Sequence, residues 1–186
     1  MIPSLTTERL ILRQWTEADF APFAALNADP VVMEHFPALW PREESDAVAR
    51  RNGRLIAERG WGFWVVESKE GDPFLGFVGL HVPSDELPFY PCVEIGWRLF
   101  PSAWGRGIAT EAARAGLEYG FETLGLDEIV AFTTLKNSRS TAVMERLGML
   151  RDAATFAHPQ VPVESGMREH YLYRITPQRW RERNAA

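Results

Sequence analysis

The sequence predicts a single mixed α/β (α+β) domain over residues 1–186, with a central, mostly antiparallel sheet and helices on both of its faces. Three observations support this prediction. The 46% apolar and 24% charged residues are typical of a globular chain. Stretches of helical and strand periodicity follow one another in the order β-α-α-β-β-β-α-β-α-β-β. The three consecutive strands have short links, which favours an antiparallel meander within a mixed sheet.

The N-terminal third is predicted to contain one strand and two helices. An apolar run over residues 10–12 predicts the strand. Thr16 followed by Asp19 resembles a capping box, so the first helix is expected to begin there and to reach about Asn27. Residues 42–59 form the second predicted helix, whose first turn carries acidic residues that suit a positive helix N-terminus.

The middle of the chain is rich in strand-forming residues. Strands are predicted over residues 63–66, 74–82 and 93–99, with a turn at 70–73 between the first two. The segment 83–91 carries three prolines and cannot continue a central strand. It is therefore predicted to be a loop.

Residues 108–124 predict an amphipathic helix with an unusually small apolar stripe. Gly116 and Gly120 lie on that stripe, and each glycine costs roughly 1 kcal/mol against alanine in a helix. A close approach of this helix to the sheet would justify that cost. A strand is predicted to follow over 129–134.

The C-terminal part is predicted to hold two helices and two strands. A helix over residues 138–147 ends at Gly148, a residue that commonly closes helices. Strands are predicted over 151–157 and 169–175, and a short helix is predicted from Pro177.

Composition excludes several classes of protein. The single cysteine, Cys92, cannot form an internal disulfide and suits a reducing compartment. The N-terminus lacks the apolar core of a signal peptide, and no stretch has the roughly 20 apolar residues that cross a bilayer. The net charge of −5 gives no basic surplus for nucleic acid. We expect a cytoplasmic protein without nucleic-acid or membrane partners. The four histidines lack metal-ligand spacing, so no metal is expected.

The most informative segment is a strand, a glycine-rich turn and a helix start. Gly105 and Gly107 allow backbone amides to point into one concavity, and the following helix N-terminus adds free N–H groups that suit a phosphate. A Walker loop is excluded because no Gly-Lys-Ser/Thr follows four spacers. A dinucleotide fingerprint is disfavoured because its third glycine is replaced by Thr110. A plain glycine turn without a ligand remains open from these residues alone.

Several motifs together resemble those of a known family. Glu94-Ile95-Gly96 followed by the run 104–112 resembles the acetyl-CoA-binding motif of the GNAT acetyltransferases, within them the RimJ/RimL type. The runs 7–13 and 137–149 resemble the usual start and the second motif of that branch. The resemblance extends from about residue 5 to about residue 180. The wider superfamily often has Gln or Arg at the position of Trp104, whereas this branch commonly has Trp.

The resemblance implies a three-layer acyl-CoA N-acyltransferase fold with acetyl-CoA as co-substrate. In this family the strand equivalent to 93–99 diverges from its neighbour, and the pantetheine arm pairs with the gap. The implied pantetheine contacts are the amides of Trp97 and Leu99, with Asn137 at the pantetheine or the adjacent backbone. The diphosphate is expected on amides of Trp104, Gly105, Arg106, Gly107, Ile108, Ala109 and Thr110.

The chemistry is the attack of an amine on a thioester, so the amine must lose a proton. At pH 7 about 0.04% of a lysine side chain is neutral, against about 10–15% of an α-amine. Glu94 is the candidate base; the alternative is a structural carboxylate bonded to a neighbouring strand. By resemblance Ser140 would donate a hydrogen bond to the sulfur; the alternative is a helix cap. A backbone N–H near Leu99 would stabilise the oxyanion.

Other side chains have weaker claims. Cys92 could form an acyl-enzyme only beside an activating base, and a lone cysteine between Pro91 and Val93 is interpreted as inert. Four aromatic residues in proline-rich loops would either line the acceptor pocket or anchor the loops: Phe36, Trp40, Phe89 and Tyr90.

Taken together, the sequence predicts an N-acetyltransferase that moves the acetyl group of acetyl-CoA to a protein N-terminal amine or a small-molecule amine, as a monomer or homodimer. Two alternatives keep the fold. One is a sensor that binds acyl-CoA without turnover. The other is an acyltransferase for another acyl-CoA, or for an antibiotic or polyamine acceptor.

Overall fold

A computed structural model describes residues 4–184 and has one nine-stranded sheet. The strands are β1 (Leu5–Thr6), β2 (Leu10–Arg13), β3 (Phe63–Ser68), β4 (Gly76–His81), β5 (Glu94–Leu99), β6 (Ile129–Thr134), β7 (Leu150–Arg151), β8 (Phe156–Ala157) and β9 (Glu169–Ile175). Their order is β1-β2-β3-β4-β5-β6-β9-β7, and β8 also pairs with β9. In the described part of the chain only β5 and β6 pair in parallel, so the mixed, mostly antiparallel sheet is confirmed.

Five α-helices accompany the sheet: α1 (Phe20–Ala28), α2 (Arg42–Arg59), α3 (Ile108–Glu118), α4 (Ser138–Arg146) and α5 (Pro177–Asn184). The bounds of α2 are those predicted, and Gly60 closes it with a left-handed φ of 85°. Within residues 4–184 no helix has the length and apolarity needed to cross a membrane.

The helices cover both faces of the sheet, as predicted. On one face, Phe23 of α1 packs edge-to-face against Phe77 of β4, with ring centroids 5.8 Å apart. On the other face, the turn after α3 lies against Leu80 of β4. Residues 77 and 80 point to opposite faces because side chains alternate along a strand.

The small stripe of α3 has the predicted cause. A Cβ at Gly116 would lie 3.3 Å from Cδ1 of Ile95, and a Cβ at Gly120 would lie 2.6 Å from Cδ1 of Ile129. The backbone of this helix therefore sits directly on the apolar side chains of β5 and β6.

Three predictions of local structure were wrong. The helix predicted to reach residue 124 ends at Glu118 and continues as a π-helical turn over Tyr119–Thr123. The strand predicted over 151–157 is a loop with a short strand at each end, since only its ends pair with β9. Sequence periodicity also missed β1, which is two residues long and pairs with β2.

The feature of the sheet that matters most for function is the divergence of β5 from β6. The pairing of β5 with β6 is limited to Glu94 opposite Val130, whereas β5 pairs with β4 over the whole length of both strands. The two strands then separate and leave a gap in the sheet, as the resemblance implied.

Candidate active site

A cavity of about 1060 Å³ opens at the gap between β5 and β6. Its walls come from β5, from the first turns of α3 and α4, from the loop after α1 and from the loop before β9. Among its lining residues are four arginines and one carboxylate. Through β5, α3 and α4, the site combines an open sheet edge with two helix N-termini.

The turn between β5 and α3 presents a row of unused amides. Gly105 and Gly107 adopt left-handed φ values of 69° and 77°. The Trp104 N–H donates to the Pro101 carbonyl at 3.0 Å, and Glu111 donates to Gly107. The N–H groups of residues 105–110 meet no acceptor within residues 4–184. Such a cluster at a helix N-terminus can bind an anionic phosphate.

The N-terminal motif holds this turn in place. Arg9 donates through Nη1 to the Arg106 carbonyl at 3.0 Å and forms an ion pair with Glu111 at 2.6 Å. Thr7 adds a hydrogen bond from its hydroxyl to the same carboxylate at 2.6 Å. The first strands are thus tied to the start of α3, which fixes the direction of the free amides.

The amides of Trp97 and Leu99 point into the gap. The Phe100 N–H donates to Leu75 on the β4 side, whereas the Val93 carbonyl accepts from Val130 on the β6 side, each at 2.9 Å. Because backbone polar groups alternate along a strand, Trp97 and Leu99 face the β6 side. β6 has already diverged there, so these two N–H groups can pair with an extended ligand.

Asn137 begins α4 and orients its first turn. Its Oδ1 accepts from the Ser140 N–H at 3.2 Å, and its Nδ2 donates to the Thr133 hydroxyl at 2.9 Å. Asn137 therefore contacts the adjacent backbone, one of its two expected roles. The Ser140 hydroxyl lines the cavity and forms no hydrogen bond with the described residues, so the cap is Asn137 and not Ser140.

Glu94 lies on the face of β5 that meets α1 and α2. A Cβ at Gly96 would be 3.6 Å from Glu94 Oε1 and 3.2 Å from the Phe63 ring, so the carboxyl group and the ring share one enclosure. Burial raises the pKa of Glu94 to about 8. Across the part of the chain that is described, its carboxylate has neither an ion pair nor a hydrogen bond. The alternative of a carboxylate bonded to a neighbouring strand is not observed.

His81 is the direct cross-strand neighbour of Glu94. Its ring stacks on Phe63 with centroids 5.2 Å apart. Burial and the charges of Arg51 and Arg59 lower the pKa of His81 to about 4, so it is neutral at pH 7.

Sequence reasoning missed that the histidines line one cavity. All four of them do so: His35, His81, His158 and His170. They come from separate parts of the chain, so no sequence spacing signals this shared cavity. In residues 4–184 no group of three or more His, Cys, Asp or Glu side chains is arranged to hold a metal ion.

Cys92 has the environment of an unreactive thiol. Burial, with the nearby carboxylate of Glu94, raises its pKa to about 11. Thiolate is the nucleophilic form of cysteine, and little of it exists at neutral pH with such a pKa.

The four aromatic loop residues have different roles. Phe36 and Trp40 line the cavity and hold the guanidinium of Arg98 over their rings. Phe89 packs edge-to-face against Phe156 with centroids 4.9 Å apart, so it anchors its loop. Tyr90 is 45% exposed.

The geometry has a clear chemical consequence. A ligand with a diphosphate and an extended amide-bearing arm could lie along residues 105–110 and the edge of β5. Its far end would lie within the same cavity, which Glu94 and Ser140 also line.

Comparison with known proteins identifies the class. The family model described as "Acetyltransferase (GNAT) domain" matches residues 9–150. The uncharacterized N-acetyltransferase YnaD of Bacillus subtilis is 29% identical over 177 residues, which is 95% of this chain and 98% of YnaD. The FsC-acetyl coenzyme A-N(2)-transacetylase of Aspergillus fumigatus is 31% identical over 96% of this chain and 78% of its own.

A partial match and a solved structure complete the comparison. The putative ribosomal N-acetyltransferase YdaF of Bacillus subtilis is 37% identical, but over only 59 residues and 32% of each chain. The crystal structure of a GNAT-family acetyltransferase from Bacillus anthracis superposes with a TM-score of 0.78 at 26% identity, over 95% of this chain and 99% of that chain.

Proposed function

Because this chain belongs to the GNAT acetyltransferase family, we propose that it is a single catalytic domain that transfers the acetyl group of acetyl-CoA to a primary amine by direct attack in a ternary complex. The observation that carries the proposal is the row of free amides over residues 105–110, which continues into the gap between β5 and β6. These two features lie where a diphosphate and a pantetheine arm would need them.

The donor side is proposed as follows. Amides of the turn and of the first turn of α3 bind the diphosphate, and Trp97 and Leu99 pair with pantetheine. Trp104 is proposed to take part through its side chain, because its backbone N–H already donates to the Pro101 carbonyl. Its indole N–H donates to the Leu99 carbonyl at 2.9 Å, which holds the ring beside the end of β5. The residues proposed to bind the donor are Trp97, Leu99, Trp104, Gly105, Arg106, Gly107, Ile108, Ala109, Thr110 and Asn137; all of them except Arg106, which contributes its free backbone N–H, line the cavity.

Two side chains are proposed to assist the chemistry. Acetyl-CoA supplies a thioester carbonyl, which the nitrogen of the neutral amine attacks. Glu94, with a pKa of about 8, accepts the proton that the amine loses, directly or through water. The C–S bond then breaks, and the Ser140 hydroxyl donates a hydrogen bond to the departing sulfur. A thiol with a pKa near 8.5 leaves readily as thiolate, so this assistance is expected to be modest.

The acceptor class has two lines of support. The Aspergillus fumigatus relative is named for transfer to an N(2) amine of FsC, which favours a small-molecule amine. The partial YdaF match and the motif at residues 7–13 favour a RimJ/RimL-type enzyme that acts on a protein N-terminus. Cys92 as the single thiol suits work in the reducing cytoplasm.

The test is release of free thiol from acetyl-CoA in the presence of a panel of small amines, amino acids and peptides. We expect amine-dependent thiol release with at least one class and acetylated amine as the second product. Binding of acetyl-CoA without thiol release from any amine would contradict an enzyme and favour a sensor of acyl-CoA.

A further inference from the structure

Arg98 on β5 has an environment that differs from that of the other interior arginines. It is 8% exposed and lines the cavity on the same face as Glu94. Its guanidinium carbon lies 4.1 Å from the centroid of the Phe36 ring and 4.6 Å from that of Trp40. These aromatic faces stabilise the cation but supply no carboxylate or carbonyl acceptor to its N–H groups.

Most of its hydrogen-bonding capacity is unused. A guanidinium has five N–H donors. Nη1 donates to Oδ1 of Asn27 at 2.5 Å. Nε is enclosed and has no partner, and Nη2 makes no hydrogen bond with any described residue. Buried donors are normally satisfied, so this arrangement points to a partner that joins Arg98 in the working complex.

Two partly buried arginines in this chain are neutralised by carboxylates. Arg13 forms ion pairs with Asp19 at 2.8 Å and with Glu67 at 2.5 Å. Arg174 contacts both Glu128 and Asp152. Among residues 4–184 no such carboxylate reaches Arg98. The fold therefore supplies a buried cation without the anion that Arg13 and Arg174 have.

The surroundings offer little negative charge to compensate this cation at pH 7. Burial lowers the pKa of Arg98 to about 9, which leaves it charged at pH 7. Glu94 is mostly protonated and His81 is neutral at that pH. Arg51 also lines this side of the cavity. A cleft of this charge is unsuitable for a polyamine or another polycation.

We propose that Arg98 binds a carboxylate of the acceptor, so that the substrate class is an amine that also carries a carboxylate. This inference rests on the proposed acetyl transfer. Glu94 and Arg98 are four residues apart on one strand, about 13 Å between Cα atoms. The spacing favours ω-amino acids or short peptides over α-amino acids. A planar carboxylate matches the guanidinium fork in two parallel hydrogen bonds.

The first test needs no turnover. Hexanoate and its neutral isostere hexanamide are added to the unliganded protein, and the unfolding temperature is measured. We expect hexanoate to raise the unfolding temperature by mass action and hexanamide to raise it less. The effect of hexanoate should be lost in Arg98→Gln and kept in Arg50→Gln, which removes an exposed arginine that lies over Phe20 outside the cavity.

The second test compares acceptors in pairs. We expect kcat/KM for 6-aminohexanoate to exceed that for 6-aminohexanamide by at least tenfold, and the same order for Gly-Gly over its C-terminal amide. Arg98→Gln should bring both ratios close to one. Arg98→Lys should give an intermediate value because it keeps the charge but loses the fork. Affinity for coenzyme A reports whether each variant is folded.

The outcomes separate the two proposals. Absence of thiol release with every amine would refute acetyl transfer, while the hexanoate measurement would still judge the Arg98 site. Turnover that is equal for acid and amide, or equal stabilisation by hexanoate and hexanamide, would overturn the carboxylate site and leave acetyl transfer standing. Both acid-against-amide comparisons are made on the wild-type protein, so their outcome does not depend on the folding of a variant.

Discussion

At the scale of single residues, the protonation of Glu94 is the property most closely linked to the chemistry. Its carboxyl group is enclosed beside Phe63 and Gly96, and burial raises its pKa to about 8. An α-amine loses its proton in the same range, near 7.7–8.0. A carboxylate in this state is basic enough to accept a proton from such an amine, which an exposed carboxylate is not.

The first prediction concerns the pH dependence of the reaction. With a weakly basic amine that is neutral throughout, kcat/KM should rise with pH as Glu94 ionises and level off above pH 8. Glu94→Gln should lower the rate and remove this rise. The measurement is kcat/KM from pH 6 to 9. Glu164→Gln, an exposed carboxylate outside the cavity, is the control that should keep the wild-type profile. An unchanged profile in Glu94→Gln would return Glu94 to a structural role.

At the scale of elements, we propose that the turn between β5 and α3 determines donor binding. Gly107 has a left-handed φ of 77°, and a Cβ added at this residue would lie 3.5 Å from Nη2 of Arg9. A β-branched residue there would both strain the backbone and crowd the free amides.

The second prediction follows from that turn. Gly107→Val should weaken coenzyme A binding by at least tenfold, measured by isothermal titration calorimetry. Gly125→Val is the matched control because Gly125 has a similar φ of 66° with open space around it, at the far end of the same helical segment. It carries a comparable backbone strain and should keep the affinity. Equal affinity in both variants would remove the turn from the binding site.

The third prediction concerns the contact of α3 with the sheet. Gly120→Ala should destabilise the protein by about 1–3 kcal/mol because its Cβ would lie 2.6 Å from Ile129. Gly53→Ala in α2 should instead stabilise by roughly 0.4–1 kcal/mol, since its Cβ would make an ordinary contact at 3.5 Å with Trp15. Urea unfolding of both variants gives the comparison. A stabilising Gly120→Ala would show that the helix can move away from the sheet.

The sequence predicted elements well where their residues contact each other locally. Periodicity and the following glycine located α2 to its ends, and the small stripe of α3 correctly indicated a close helix–sheet contact. Periodicity missed β1, because a two-residue strand shows none. It also wrongly predicted a strand over residues 151–157, where pairing with β9 occurs only at the ends. Pairing of this kind is decided by distant residues.

At the scale of the whole molecule, the distribution of charge differs from its total. The chain has a net charge of −5, yet its cavity is lined by four arginines and one carboxylate. A net negative charge would by itself favour cationic ligands, whereas the four arginines of the cavity favour anionic ones. Net charge could not predict this, since folding places the acidic residues mainly elsewhere.

The candidate site has one part that the sequence reveals and another that only the folded structure reveals. The donor motif is contiguous in sequence, so residues 104–110 could be recognised from the sequence and the free amides lie there. The proposed acceptor side is assembled from distant segments: Arg98 contacts Asn27, which is 71 residues away, and the four histidines come from different parts of the chain. Side chains that meet only in the folded chain leave no spacing for a sequence pattern to detect.

We propose that the amides of residues 105–110 bind a diphosphate and that the edge of β5 pairs with a pantetheine arm. A crystal structure of the protein with coenzyme A tests it most directly. We predict diphosphate oxygens within hydrogen-bonding distance of those amides, and pantetheine amides bonded to Trp97 and Leu99. Coenzyme A bound elsewhere, with these backbone groups unoccupied, would contradict the account.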